Sequence, residues 1–528
     1  MKLTKKTLLT FLVVMLGVSV GIAQDTVEVP VLSPNDGEFL NTYMDDNPAD
    51  VYKLKRGETY FMNNSVQLNE ALDIVGEEGN SEETAPAKIR AGYDDQGRLI
   101  NTLFAVNGDI TFKNVYIIGR GVGSKWDMTA QTIQCQGSGN ELFLDNIILE
   151  GNQENGFVIS GDNWDITVKN SIFRNNMNQT QNYNGRAIRN NGSVAGEIVM
   201  KNNTYFNITA YAIVTPVCEK FVFDHNTMVN TMTDVFFAHQ MANAEITNNI
   251  FYNPEFNPLV DAELVWKNFD AEVAGVICQD TLSDGAKAAY DTLLGGSDWS
   301  RKVAVKSNVY YWDQEVKDFW NSADTLYSTP WIDENTQKFF DDDENYPDMV
   351  ATDNVEKDPG FANKGDNLSA MVQQGKYIRQ PSTGDIENIY WGVPSSGEIQ
   401  WPLPEDLSYS ADLTGTDGKA IGDLNWQEGG TAVDNNGSNP DSYTLEQNYP
   451  NPFNPTTNIG FKLKNSTDVT LSVYNMLGQK VRTMNLGKMS AQHHTVKFNG
   501  SDLSSGVYIY RLQAGNKVVG TKKMVLVK

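Results

Sequence analysis

The sequence predicts an all-β chain: a solenoid of short stacked coils, then a small β-sandwich. Three observations carry this. Short β-branched runs ending in Asn recur between residues 60 and 310. From residue 443 onward, apolar and polar residues alternate in short runs punctuated by glycine. The composition, 40% apolar with 22 Tyr and 10 Trp, is that of a folded, aromatic-rich chain.

The repeat units are ITFKNVYII (110–118), LFLDNIIL (142–149), ITVKNSIF (166–173), IVMKNNTYF (198–206), FVFDHNTMV (221–229) and AEITNNIFY (244–252), with a later VKSNVYYW (305–312). With Asn114, Asn146, Asn170, Asn202, Asn226 and Asn249 as markers, the spacings are 32, 24, 32, 24 and 23 residues. The runs are too short and too rich in Val, Ile, Phe and Tyr for helices. Several short strands in about 23 residues fit one coil of a parallel β-helix. Each coil bends sharply where strands meet, and Asn tolerates the left-handed backbone of such a bend. Stacked in register, these amides form a ladder, so the marker Asn residues are assigned a structural role.

The two 32-residue units carry their extra residues at the same place. One addition is GRGVGSKWDMTAQ (119–131) and the other RNNMNQTQNYNG (174–185). Both begin about five residues after the marker, so they should leave the same edge, two coils apart, and wall a groove. Long loops on a solenoid gather on its binding face. A further insertion, 253–306, contains the helical pattern AKAAYDTLL (286–294). Its side of the solenoid is not legible.

Charge narrows the partners. The whole chain carries −26, but residues 25–442 carry −37 and residues 443–528 carry +8. A body this acidic lacks the basic face that nucleic acid requires, and an anionic membrane surface would repel it. Three cysteines, Cys135, Cys218 and Cys278, are too few for a disulfide scaffold or a four-Cys zinc site. Lys2, Lys5 and Lys6, the apolar run Leu8–Val20, and the small residues Gly21 and Ala23 read as a secretory signal over 1–23. No later run reaches the length of a membrane span, so the mature chain has no predicted transmembrane anchor. A monomer is expected.

The tail carries the most specific motifs: NYPNPFNPTTNIGF (448–461), VYNMLGQKV (473–481), SSGVYIYRL (504–512) and KKMVLVK (522–528). In this order they resemble the type A sorting domain of the type IX secretion system. The resemblance covers residues 443–528 and implies export across a Gram-negative outer membrane, with the secretion machinery as partner. An ordinary Ig-like module would share the alternation but not these motifs. The repeats in turn resemble, as a pattern, the right-handed parallel β-helix superfamily that includes pectate lyases. That likeness spans roughly residues 50–400 and implies a polysaccharide partner. KDPGF (357–361) and GDNLS (365–369) resemble its closing segment.

Cleaving a uronate by β-elimination needs a base, a group that neutralises the carboxylate, and a proton donor. Arg, Lys, Tyr and His are the usual carriers, and Ca²⁺ often serves as neutraliser. Arg186 and Arg189 are the catalytic candidates, with Lys125, Trp126, Arg174 and Tyr183 as substrate-binding candidates. Cationic residues at the loops of an acidic body suit an anionic sugar, and Trp126, Tyr183 and Trp164 offer flat faces for sugar rings. The competing reading makes all of these solvated or acid-paired loop residues. Asp224–His225–Asn226 faintly resembles the Asp-His pair of pectate lyases, but His225 fits better as a variant rung. DDDENYPD (341–348) lacks the spacing and Gly of an EF-hand loop. No cofactor is certain; Ca²⁺ stays open and no metal ligands are assigned. The paired-Glu strand followed by Lys-Ser that marks alginate and chondroitin lyases is absent. Cys135 and Cys218 fall in coil strands and read as small apolar rungs.

The organisation expected is therefore a signal peptide (1–23), a right-handed parallel β-helix (24–402, insertion about 253–306), an acidic Gly-rich linker (403–442) and a sorting β-sandwich (443–528). Two functions compete. One is an exported surface or secreted protein that binds or processes polysaccharide, as a lyase or hydrolase if it is an enzyme. The other is a non-catalytic adhesive spacer or display platform.

Overall fold

A computed structural model describes residues 25–426 and 444–527, without 80–83, 124–125, 179–183, 211, 215–216, 258–274, 323–327, 366–367, 380–400, 402, 410–413, 446–447, 449–452, 464–466, 476–478, 490–492, 502 and 516. The predicted signal segment lies outside the described residues. The chain forms two compact units, one up to Thr431 and one from Ala432 to Lys528.

The first unit is a parallel β-helix. Its strands assemble into sheets of eleven, ten and seven strands, and consecutive strands within a sheet come from successive coils. One coil shows the pattern. Ile110–Lys113 lies in the eleven-stranded sheet, Val115–Ile118 in the ten-stranded sheet and Thr129–Cys135 in the seven-stranded sheet. Glu141–Asp145 then returns to the first sheet and pairs in parallel with Ile110–Lys113. A strand that pairs only with the coils above and below has one side chain row inward and one outward. Inward rows stack like on like. Phe173, Tyr205, Met228 and Phe251 follow one another in the ten-stranded sheet, with the Phe173 and Tyr205 rings stacked 5.2 Å apart, and Phe223 of the eleven-stranded sheet packs beside Tyr205 and Phe251. The helix Leu40–Asp46 precedes the coils and places Leu40 and Met44 in the same core.

From the coil of Asn114 onward, the bend between the eleven- and ten-stranded sheets repeats in the same form. Asn114, Asn146, Asn170, Asn202, His225, Asn248, Ser307 and Asp353 all take positive φ, between 52° and 59°. Asn226 and Asn249 are not in this series; they lie one residue further on. They belong to a second, inner ladder, in which each amide donates to the carboxamide oxygen of the next coil: Asn203 to Asn226 (3.0 Å), Asn226 to Asn249 (3.1 Å), Asn249 to Asn308 (2.9 Å) and Asn308 to Asn354 (2.9 Å). The same oxygens accept backbone N–H groups of the bend. The marker spacing therefore mixed two adjacent ladders: the outer rung is His225 in one coil, and both rungs read Asn in the next. A further ladder follows the ten-stranded sheet, with Asn175, Asn207, Asn230 and Asn253 at positive φ and joined amide to amide.

The insertion after Tyr252 includes a helix, Asp284–Leu293, capped by the Ser283 hydroxyl. Tyr290 anchors it: its hydroxyl donates to Gln240 O and accepts from Ala242 N. This places the helix beside the start of the eleven-stranded sheet's strands, away from the corner that bears the two long loops.

Residues 403–409 and 414–426, read from composition as linker, pack on the outer face of the ten-stranded sheet. Trp401 and Leu403 lie on Tyr116, Ile118 and Ile148. Leu407 lies on Phe206, Val229 and Tyr252. Tyr409, Ala420 and Ile421 lie on Ile250 and Val309. Polar anchors join them: Asp423 Oδ2 accepts from the Thr204 hydroxyl at 2.6 Å, and Trp426 Nε1 donates to Thr204 Oγ1 at 2.7 Å. The outer face of this sheet is apolar, so it needs cover, and the chain supplies a strap.

The second unit is an antiparallel sandwich. Thr444–Leu445, Thr456–Lys462 and His493–Asn499 form one sheet. Lys480–Met489, Thr467–Asn475, Gly506–Ala514 and Lys517–Leu526 form the other. Ile459, Phe461, Leu471, Val473, Phe498, Tyr510 and Leu512 are buried in its core. Alternate residues of each strand supply that core, which is the alternation read in the sequence.

Candidate functional site

The two long loops leave the same corner. Residues 119–128 join Val115–Ile118 to Thr129–Cys135, and residues 177–185 join Ile172–Asn176 to Arg186–Asn190. Both run from the ten-stranded to the seven-stranded sheet. The intervening coil, Ile148–Glu150 to Asn152–Ile159, has no insertion at this corner.

The foot of this corner is an ionic cluster built from three coils. Glu150, on the short middle coil, is in register with Ile118 below and Arg174 above. Its Oε1 accepts from Arg120 Nη1 at 3.2 Å and from Asn175 Nδ2 at 3.2 Å. Its Oε2 accepts from the Tyr116 hydroxyl and lies 3.6 Å from Arg174 Nη1. Arg174 Nη2 donates to Glu405 Oε1 of the strap at 2.7 Å. Arg90 joins from the preceding coil, donating to the carbonyls of Arg120 and Gly121. Arg120 and Arg174 are each only 1% exposed. Gly151, at φ +75°, lets the Arg120 guanidinium lie against the chain, since a Cβ there would stand 3.2 Å from Nη2.

The two carboxyls of the cluster titrate in opposite directions. Burial pushes Glu150 up, but Arg174 and Arg120 outweigh it and hold the group down at about 2. Burial also pushes Glu405 up; there the single guanidinium of Arg174 is opposed by the charge of Glu150, and the value stays raised. Glu150 is thus the firmly ionised centre, and Glu405 the weaker ligand of Arg174.

The residues singled out from the sequence divide accordingly. Arg174 is buried in this cluster rather than displayed on a groove wall. Arg186 is buried and donates to Asn155 Oδ1 at 3.1 Å. Arg189 is half-buried on the seven-stranded sheet, in register with Val158. Trp126 is half-buried and packs against the main core. Lys125 and Tyr183 lie outside the described residues. Trp164 is fully buried and donates to Gly137 O, so it offers no face to a sugar. His225 is a rung of the bend series, with Nδ1 3.1 Å from Asp224 Oδ1. All three cysteines are buried free thiols, and burial raises Cys135 and Cys278 well out of the reactive range. Among the described residues no group of His, Cys, Asp and Glu could hold a metal ion.

Sequence reasoning missed Arg90, Arg120, Glu150 and Glu405. A signal for the strap was present. Trp401, Leu403, Leu407 and Tyr409 fall at alternate positions, and Glu405 takes the same inward parity between exposed Pro404 and Asp406.

The fold defines the class: a parallel β-helix passenger followed by a separate antiparallel sandwich. Residues 447–528 match the family model of the secretion system C-terminal sorting domain. That domain links the chain to the type IX secretion machinery and makes it a secreted or cell-surface protein. Among the described residues no helix is long and apolar enough to cross a membrane. No curated protein matches the chain. Among solved structures, an immunoglobulin-like protein from Pseudomonas aeruginosa matches with a TM-score of 0.12 and 12% identity, over 16% of this chain and 90% of that one. A likeness at that score carries no argument.

Proposed function

We propose that this exported β-helix binds polysaccharide at its loop-bearing corner, with the seven-stranded sheet as the adjoining platform. The observation that carries this reading is the corner itself: two long loops, two coils apart, flank an uninserted coil whose foot is rich in arginine. The other two faces suit a glycan less well. The strap covers the ten-stranded sheet, and the eleven-stranded sheet shows charges already paired, such as Lys169 with Asp145 and Lys201 with Asp224. Beside the loops, the seven-stranded sheet presents half-buried Gln131, Gln134, Ser160 and Arg189, a polar surface of the kind that hydroxyl-rich chains bond.

One set of observations favours the non-catalytic form. The arginines in and at the ends of the loops, Arg120, Arg174 and Arg186, already hold Glu150, Glu405 and Asn155. The expected outcome is therefore binding without bond cleavage. A panel of polyuronates and neutral glycans, with and without Ca²⁺, tests it by calorimetry alongside the ultraviolet absorbance of unsaturated products and a reducing-end assay. Unsaturated product lost in Arg189→Ala would make the protein a lyase. No binding to any glycan would leave the adhesive spacer as the reading.

A further inference from the structure

The arginine cluster holds more donors than acceptors. Arg120 Nε, Arg120 Nη2 and Arg174 Nε are buried and meet no acceptor among the described residues. Glu150 is already engaged by Arg120, Arg174, Tyr116 and Asn175. Buried guanidinium groups with unmet N–H groups are costly, and an oxyanion is the group that meets several at once. The remaining anion at Arg174, Glu405, comes from a segment 231 residues away in sequence. It rides on a strap that meets the rest of the unit through its pairing with Ala362 and Asn363, with Pro404 and Asp406 exposed on either side of it. Beneath the adjoining Trp401 and Leu403 lie Tyr116, Ile118 and Ile148, an aromatic and aliphatic row of the kind on which a sugar ring stacks.

We infer that Arg120 and Arg174 form a subsite for the carboxylate of an acidic sugar, and that Glu405 is its internal occupant, displaced when the sugar binds. Arg90 and Tyr93 hold the first loop beside these groups, Arg90 donating to the carbonyls of Arg120 and Gly121 and Tyr93 to Asp127 at 2.5 Å. The strap is then a tethered competitor: lifting 401–409 exposes both the guanidinium and the apolar row in one movement. Binding an external carboxylate replaces one ion pair with another, so the charge of the cluster is conserved while the strap is released. This inference rests on the polysaccharide reading and names its ligand class.

The test uses the full mature chain, wild type and Glu405→Gln, with three probes: an oligogalacturonate, the same oligomer with its carboxyls methyl-esterified, and a sulfated polymer free of uronate. Glutamine keeps an acceptor for Arg174 and removes the competing charge. The variant should bind the free-acid oligomer about tenfold more tightly than wild type, the scale of one charge-assisted hydrogen bond, and the esterified oligomer should gain nothing. Hydrogen exchange in 401–409 should rise when the free acid binds and stay unchanged with the ester. The gain should vanish when Arg120→Lys is added to Glu405→Gln. A tighter grip on the sulfated polymer equal to that on the free acid would overturn the carboxylate assignment. Equal binding of acid and ester by both proteins would overturn the subsite while leaving the polysaccharide reading intact. Absence of binding by either protein to any of the three would remove the subsite too, and the neutral glycans of the wider panel then decide the reading beneath it.

Discussion

The ten- and eleven-stranded sheets are made by the same coils, yet their outer faces are opposites. In the eleven-stranded sheet the outer row beside the bend reads Lys113, Asp145, Lys169, Lys201, Asp224, Thr247 and Lys306. It pairs its own charges along the stack and, Asp145 apart, stays in contact with water. In the ten-stranded sheet the matching row reads Tyr116, Ile148, Ile172, Thr204, Thr227, Ile250 and Val309. It is roofed by Trp401, Leu403, Leu407, Tyr409, Ile421 and Trp426. The difference teaches that a solenoid coil has no fixed outside. Where the outward row is charged, water completes the structure; where it is apolar, a distant part of the chain must.

The sharpest way to break this contrast is to remove a buried charge on the roofed side. Arg174→Ala strands Glu405 and strips Glu150 of one of its two guanidiniums. A loss of about 3–5 kcal/mol is expected, the usual consequence of leaving a buried ion pair half made. Denaturant unfolding followed by tryptophan fluorescence reads it, since Trp401 and Trp426 sit on the strap. A loss under about 1 kcal/mol would mean that the strap is not held by this pair.

The second effect is in pH. Burial lifts the Asp423 carboxyl to about 7 from its ordinary 3.8, against hydrogen bonds from Thr204 and Asn425 and the nearby His225. A raised folded value means that the docked strap holds a proton which the released strap gives up. Its contribution is whole below 3.8 and is lost as pH rises through about 7, roughly 4 kcal/mol across that window. Glu405 is shifted in the same direction. Glu150, held low, contributes in the opposite sense: its share is present above the ordinary carboxyl range and is lost as pH falls through about 2. Hydrogen exchange of 401–426, corrected for intrinsic rate, should show protection falling from about pH 4 to pH 8. Asp423→Asn should flatten that slope; an unchanged slope would place the titrating group elsewhere.

The smallest effect belongs to the open face. Lys169 lies 3.5 Å from Asp145 with its side chain 31% exposed. Lys169→Ala should cost less than about 1 kcal/mol and lose even that in high salt. A cost comparable to that of Arg174→Ala would erase the distinction between the two faces.

Much of this was legible in the sequence. The coil repeats, the single corner shared by both loops and the alternating tail all follow from short-range periodicity, which each segment states for itself. The ladder was legible in kind but not in register. His225 leaves an amide only at the inner rung of its coil, and Asn248–Asn249 places amides at both, so a marker chosen by residue type slides by one. The site was the least legible part. Arg174 reads as a loop cation until its coil is set against those carrying Glu150 and Arg120, and Glu405 reads as linker until it meets Arg174.

By itself the sequence determined what local chemistry determines: coils of about 23 residues, Asn at the bends, a sandwich with its own alternating core, and a tail whose motifs address the chain for export. Only the tertiary structure decided which outward row would be roofed and by what, and which charges would be buried together. Those outcomes depend on contacts between residues hundreds of positions apart, and no local period records them, because the free energy that fixes them arises only when the two surfaces leave water together.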